Sequence, residues 1–185
     1  MSMINIAEID IDKALCKINE GLRKYCRIQN RFSRCDVRND LQFQTMFNGF
    51  YKIRRNSAWR ENYYEIFEIS KNQDVTFPQI LRRMSDKTGR LEASFASKLV
   101  ATIDPNKPII DRYVLKNFSL HLPYNNAQNR EAKIIQTYED LCLKYRSLMK
   151  RSIVHSICER FNNLYPWANI TDLKKVDLVV WQTWG

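Results

Sequence analysis

Between Gly89 and Val114 the chain reads as a glycine, an apolar helix period, a proline corner and an aspartate, and no other stretch constrains the fold as strongly. Leu91, Phe95, Leu99 and Ile103 recur at intervals of four, which predicts a helix over residues 90–103 with one buried stripe. Ala93, Ala96 and Ala101 are small enough to let another helix approach closely. Gly89 tolerates the positive φ that closes a preceding helix. Pro105 and Pro108 fix φ and bar the residues before them from the α region, so the helix must stop and the chain must turn. Asp111 then stands where a side-chain oxygen opens the next helix, expected over residues 111–118.

Helical periods recur on both sides of this segment. Ile11, Leu15, Ile18, Leu22 and Tyr25 form a stripe with spacings of four and three, predicting a helix over about residues 8–30. Leu41, Phe43, Met46, Phe47 and Phe50 suggest a second helix or an extended aromatic segment, which Asn48-Gly49 could interrupt. Ser57 is a candidate cap for a helix carrying Trp59, Tyr63, Ile66 and Phe67, with Glu61 one place from the capping-box position. Thr76 caps a helix through Phe77, Ile80, Leu81 and Met84. Ile134, Tyr138, Leu141, Tyr145 and Leu148, widened by Ile135, mark the long helix 127–149. Two more helices are expected near 151–164 and 171–184, the last capped by Thr171 or Asp172. With four glycines, five prolines and no alternating β-branched run, the expectation is an all-α fold, a single compact helical unit over 1–185.

The charge is uneven. Of the formal net charge of +10, eight units fall within residues 23–60, where ten cations face only Asp36 and Asp40. The cations are Arg23, Lys24, Arg27, Arg31, Arg34, Arg38, Lys52, Arg54, Arg55 and Arg60, with Phe32, Phe43, Phe50, Tyr51 and Trp59 interleaved. An acidic partner follows, nucleic acid ahead of an anionic membrane surface. The aromatics are either base-stacking platforms or core. A second basic set, Arg82, Arg83, Lys87 and Arg90, brackets the end of the Thr76 helix, where cations suit either a phosphate or the helix dipole.

No apolar stretch approaches a membrane span, and Glu8, Asp10 and Asp12 replace the basic-then-apolar pattern of a leader. A soluble chain, cytoplasmic or nucleoid-associated, is expected. Cysteines 16, 26, 35, 142 and 158 contain no Cys-x-x-Cys pair, and only His121 and His155 could join them, so reduced thiols, no metal and no cofactor are expected.

The order glycine turn, helix, proline corner, aspartate resembles the helix-hairpin-helix superfamily of base-excision DNA glycosylases, which includes endonuclease III and the 8-oxoguanine glycosylases. The likeness covers residues 76–120, the hairpin and aspartate region, and is weaker in Thr171–Asp177. It implies two helical lobes around a cleft, a hairpin gripping DNA phosphates, and Asp111 as the chemical residue. The family's first hairpin glycine falls on Gly89, its second on Leu91, and the nucleophilic lysine of bifunctional members near Glu92 or Ala93. Lys98 is the nearest lysine downstream and the alternative nucleophile. Without a lysine at the family position, the resemblance implies a monofunctional hydrolysis of the N-glycosidic bond of a flipped base. Asp111 would stabilise positive charge on the sugar and orient or deprotonate water. Phe77, Tyr113, Trp181 and Trp184 are candidate stacking residues. Arg54, Arg55, Arg82, Arg83, Lys87, Gly89, Arg90 and Arg112 are the candidate DNA-binding set. Two alternatives remain: a non-catalytic nucleic-acid-binding module and a protein-interaction module, with Asp111 serving only as a helix cap.

Overall fold

The computed structural model describes residues 11–182 of the 185. Among them every regular element is an α-helix and no strand occurs, so the expected all-α class is observed. The helices are α1 (Ile11–Lys17), α2 (Asn19–Phe32), α3 (Leu41–Tyr51), α4 (Ser57–Ser70) and α5 (Phe77–Thr88). They continue as α6 (Ala93–Ile103), α7 (Arg112–Asn117), α8 (Arg130–Leu148), α9 (Ser152–Leu164) and α10 (Asp172–Gln182). The chain divides into two compact units: Glu20–Asp104 is one, and Pro105–Gly185 with the segment up to Asn19 is the other. The region 76–120 is thus divided, Gly89 in the Glu20–Asp104 unit and Asp111 in the other.

The Glu20–Asp104 unit is organised by aromatic rings. Phe43, Phe47, Tyr63 and Phe67 are fully buried, and Phe47 lies 5.4 Å from both Phe43 and Phe67 by ring centroid. Phe32 joins at 5.2 Å from Phe67, and Trp59 stacks on Tyr63 at 5.0 Å. Two tyrosine hydroxyls buried here are satisfied, Tyr63 Oη donating to the Phe95 carbonyl (3.1 Å) and Tyr64 Oη to Asn48 Oδ1 (2.8 Å). The second bond helps explain why Asn48-Gly49 does not interrupt α3: the Asn48 side chain is used across to α4 instead of making a turn.

In the other unit, α10 is the buried centre, with Val176 and Val179 at zero exposure and contacts to α1, α7 and α9. The expected α8 stripe of Ile134, Tyr138, Leu141, Tyr145 and Leu148 is buried throughout. Tyr165 Oη donates to the Leu15 carbonyl at 2.6 Å, tying α1 beneath the end of α9.

The expected helix 8–30 differs in detail. Residues 8–10 lie outside the described residues, and the rest is two helices with a turn at Ile18, just before the boundary between the units at Asn19 and Glu20. Its apolar stripe is nonetheless buried on both sides of the break. Asn56, not Ser57, caps α4: its Oδ1 accepts the Trp59 N–H at 2.9 Å, which leaves Glu61 two places beyond the capping-box position. Thr76 caps α5 in a capping box, the Thr76 N–H donating to Gln79 Oε1 at 2.8 Å. Thr171 Oγ1 accepts the Lys174 N–H at 3.3 Å and begins α10, whose expected last residues Thr183 and Trp184 lie outside the described residues.

Burial pushes the Tyr63, Tyr64 and Tyr145 hydroxyls well above the ordinary tyrosine range. Their folded-state values are raised, so the stability they support is complete below the unfolded value of about 10 and is lost as pH rises beyond it. Each contributes a slope of about 1.4 kcal/mol per pH unit in that interval. Urea unfolding between pH 9 and 12 should therefore show stability falling steeply above about pH 10. Tyr64→Phe should flatten the decline.

Candidate functional site

A cleft of about 450 Å³ opens between the end of α2 and the start of α3. It is created by the turn after α2, which is held from several sides. Val37 is fully buried and its N–H donates to Glu68 Oε2 at 2.8 Å. The Gln44 amide donates to the Val37 and Arg38 carbonyls at 2.9 and 2.8 Å, and Lys71 Nζ donates to the Cys35 carbonyl. Arg38 grips Asp36 within the same turn, holding that carboxyl down at about 2.

Spacings of four and three place Arg27, Arg31 and Arg34 along this cleft, the last in the turn just beyond α2. Their environments differ. Arg31 Nε donates to Asp40 Oδ2 at 2.7 Å, and Asp40 Oδ1 accepts the Phe43 N–H at 2.9 Å as cap of α3. That one carboxylate is therefore neutralised by Arg31 and by the helix start, and both hold its pKa below the usual range. Arg27 and Arg34 are exposed and form no ion pair among the described residues. The amides of Asn30 and Gln42 face the same cleft, and Cys35 with Met46 supplies its less polar lining. Burial pushes the Cys35 thiol up and the adjacent Asp40 carboxylate reinforces this, so Cys35 is a neutral lining group and a poor nucleophile.

The expected DNA-binding residues separate into two groups. Arg54 and Arg90 are exposed and unpaired among the described residues. Arg55 Nη2 donates to both oxygens of Glu92 at 2.8 and 3.0 Å and lies 5.4 Å from the Phe95 ring. Arg83 donates to Ser70 Oγ at 3.0 Å, Lys87 pairs with Glu65, and Arg112 lies over the ring of Tyr113. Arg82 is exposed at the middle of α5. Gly89 ends that helix with φ +69°, its N–H donating to the Ser85 carbonyl at 2.8 Å. Helix α6 starts at Ala93, later than expected, because Glu92 takes the cap position while its carboxylate holds Arg55.

Asp111 caps α7, its Oδ1 accepting the Tyr113 N–H at 2.9 Å. Lys98 is buried, with Nζ donating to Ser94 Oγ at 3.0 Å and lying 5.1 Å from the Phe95 ring. Among the aromatics considered for stacking, Phe32, Phe43, Tyr51, Trp59 and Phe77 are core, Phe50 and Tyr113 are half-buried, and Trp181 is exposed. Trp184 lies outside the described residues.

Two features are not evident from the sequence. The Arg27–Arg34 cleft was hidden because its walls are separated by the folded turn. The other is a buried polar group on α10: Lys174 Nζ donates to Asp177 Oδ2 at 2.6 Å and Tyr145 Oη donates to Asp177 Oδ1 at 2.8 Å. Beside it, Lys175 pairs with Asp172 at 2.7 Å, and burial with Asp172 pushes the Cys158 thiol up to about 11. Among the described residues no group of three or more histidines, cysteines and carboxylates could hold a metal ion, and no helix is long and apolar enough to cross a membrane.

Comparison with known proteins finds no matching family model, no similar curated protein and no similar solved structure.

Removing Asp177 leaves Lys174 buried without its carboxylate. Asp177→Ala should cost about 3–5 kcal/mol in urea unfolding, while Lys174→Met combined with Asp177→Leu should recover most of that loss.

Proposed function

We propose that this chain is a nucleic-acid-binding protein, with DNA as the first expected partner, and that the Glu20–Asp104 unit carries the binding surface. The supporting observation is the selective pairing of its cations. In residues 23–60, Lys24, Arg31, Arg38 and Arg55 are each matched with a carboxylate. Arg27, Arg34, Lys52 and Arg54 are exposed without one among the described residues, and two of the four border an open cleft. Uncompensated guanidinium groups are strong partners for phosphate, because they offer several donors in one plane and remain charged at any accessible pH.

A glycosylase activity is the second reading. It is favoured by the order of elements: Gly89 in the left-handed region between α5 and α6, then Asp111 at the start of α7. In that reading Asp111 keeps one oxygen on the helix N–H and offers the other to a sugar cation or water.

Binding to labelled DNA, followed by fluorescence anisotropy across salt concentrations, tests the first reading. Affinity should fall linearly with salt on logarithmic axes, and Arg54→Gln with Arg90→Gln should lower the duplex slope by about 1.8, or 0.9 per lost phosphate contact. A flat response, or no binding at low salt, would overturn it. For the second reading, duplexes carrying different lesions are assayed for abasic sites. Asp111→Asn, which can still cap α7, should abolish base release while DNA affinity persists.

A further inference from the structure

We infer that the cleft between α2 and α3 receives one unpaired nucleotide of a single strand, its phosphate on Arg27 and Arg34 and its base on the cleft floor. This rests on the nucleic-acid-binding reading and specifies the form of the ligand. At about 450 Å³ the cleft falls within the range of small-molecule sites and far exceeds what a lone phosphate group would fill.

The lining is divided in the way a nucleotide is divided. Arg27 and Arg34 are the uncompensated cations, since Arg31 is committed to Asp40. Met46 and the protonated thiol of Cys35 offer polarizable surface rather than charge. Asn30 and Gln42 are exposed, and their side-chain amides make no hydrogen bond among the described residues. Each amide can both donate and accept, as the edge of a base requires. Among the described residues no aromatic ring lines the cleft, so the face of the base falls to the polarizable surface of Met46 and Cys35.

A duplex satisfies only part of this lining. Its bases are stacked and paired, so it presents phosphates to the rim and leaves the amides and the floor without a partner. An unpaired nucleotide brings phosphate and base together. The same chemistry is available from a free nucleotide, but a strand adds phosphates on either side, for which Lys52 and Arg54 are further exposed cations of the same unit.

The test compares a labelled oligothymidylate with a hairpin duplex of equal length, using thymidine monophosphate as competitor. The wild type should prefer the single strand, and the monophosphate should displace it only at far higher concentration. Arg27→Gln with Arg34→Gln should weaken single-strand binding by roughly tenfold or more and lower its salt slope by about 1.4, or 0.7 per contact, with a much smaller effect on the duplex. Both residues are exposed and form no ion pair among the described residues, so helicity by circular dichroism should be unchanged. Equal weakening of strand and duplex would overturn the inference, because the cleft would then meet only backbone. Unchanged binding in this variant, with salt-sensitive binding in the wild type, would overturn the site and leave the nucleic-acid reading intact. Displacement by equimolar thymidine monophosphate would overturn the strand as ligand. Failure of the wild type to bind any nucleic acid at low salt would overturn both.

Discussion

The aromatic packing of the Glu20–Asp104 unit is the constraint from which its surface follows. Phe32, Phe43, Phe47, Tyr63, Tyr64 and Phe67 must share one interior because each buries a large apolar area that water disfavours. Arginines alternate with aromatics in this stretch of sequence, so turning the rings inward turns most of the arginines outward. Basic surface and aromatic core are two faces of the same helices. The interleaving of arginine and aromatic residues that suggested base stacking is resolved by folding: the rings pack on each other, and the guanidinium groups are left at the surface.

The outward cations are then sorted by local geometry. Arg38 with Asp36 and Arg31 with Asp40 are near in sequence and pair wherever the turn after α2 brings them. Such exposed or half-exposed pairs contribute little to stability, because water screens them and holding two long side chains costs entropy. Their larger effect is on the potential: they cancel charge at some points and leave it at Arg27 and Arg34. The Asp40 carboxylate matters most, since an anion in the cleft would otherwise repel phosphate. Arg31 and the start of α3 neutralise it together.

Features legible in the sequence are those set by short-range periodicity and chain chemistry. The α8 stripe, the Thr76 cap, the glycine end of α5 and the proline corner each depend on residues within a few positions of one another, although the Gln79 half of the capping box was not anticipated. The choice between Asn56 and Ser57 as cap was not legible, because both residue types can cap and only the observed backbone decides. The break at Ile18 was not legible either, since the apolar stripe runs through it without change. The cleft joins residues 27–35 with residues 40–46, and their approach depends on a turn held by Glu68 and Lys71 from α4 and its end. Lys174 and Asp177 lie three residues apart on a helix, a spacing an exposed pair would share, yet they are buried because α10 is surrounded by packed helices of its unit.

The way polar side chains are satisfied separates structural from functional candidates. In α6 the buried polar groups turn back on their own helix: Thr102 Oγ1 donates to the Lys98 carbonyl at 2.7 Å, Ser97 Oγ to the Ser94 carbonyl at 3.0 Å, and Lys98 Nζ to Ser94 Oγ. A lysine so placed must break its contacts with Ser94 and the Phe95 ring before it can attack a substrate, and each buried group left behind would carry a desolvation cost of about 1–3 kcal/mol. In the α2–α3 cleft the relation is reversed. Arg27, Arg34, Asn30 and Gln42 are exposed with hydrogen-bonding capacity that folding does not consume. A ligand there exchanges only water, so its contacts add to affinity without disrupting the fold. Helix α6 uses its polar groups on its own turns, whereas the polar side chains that line the cleft keep theirs exposed to water.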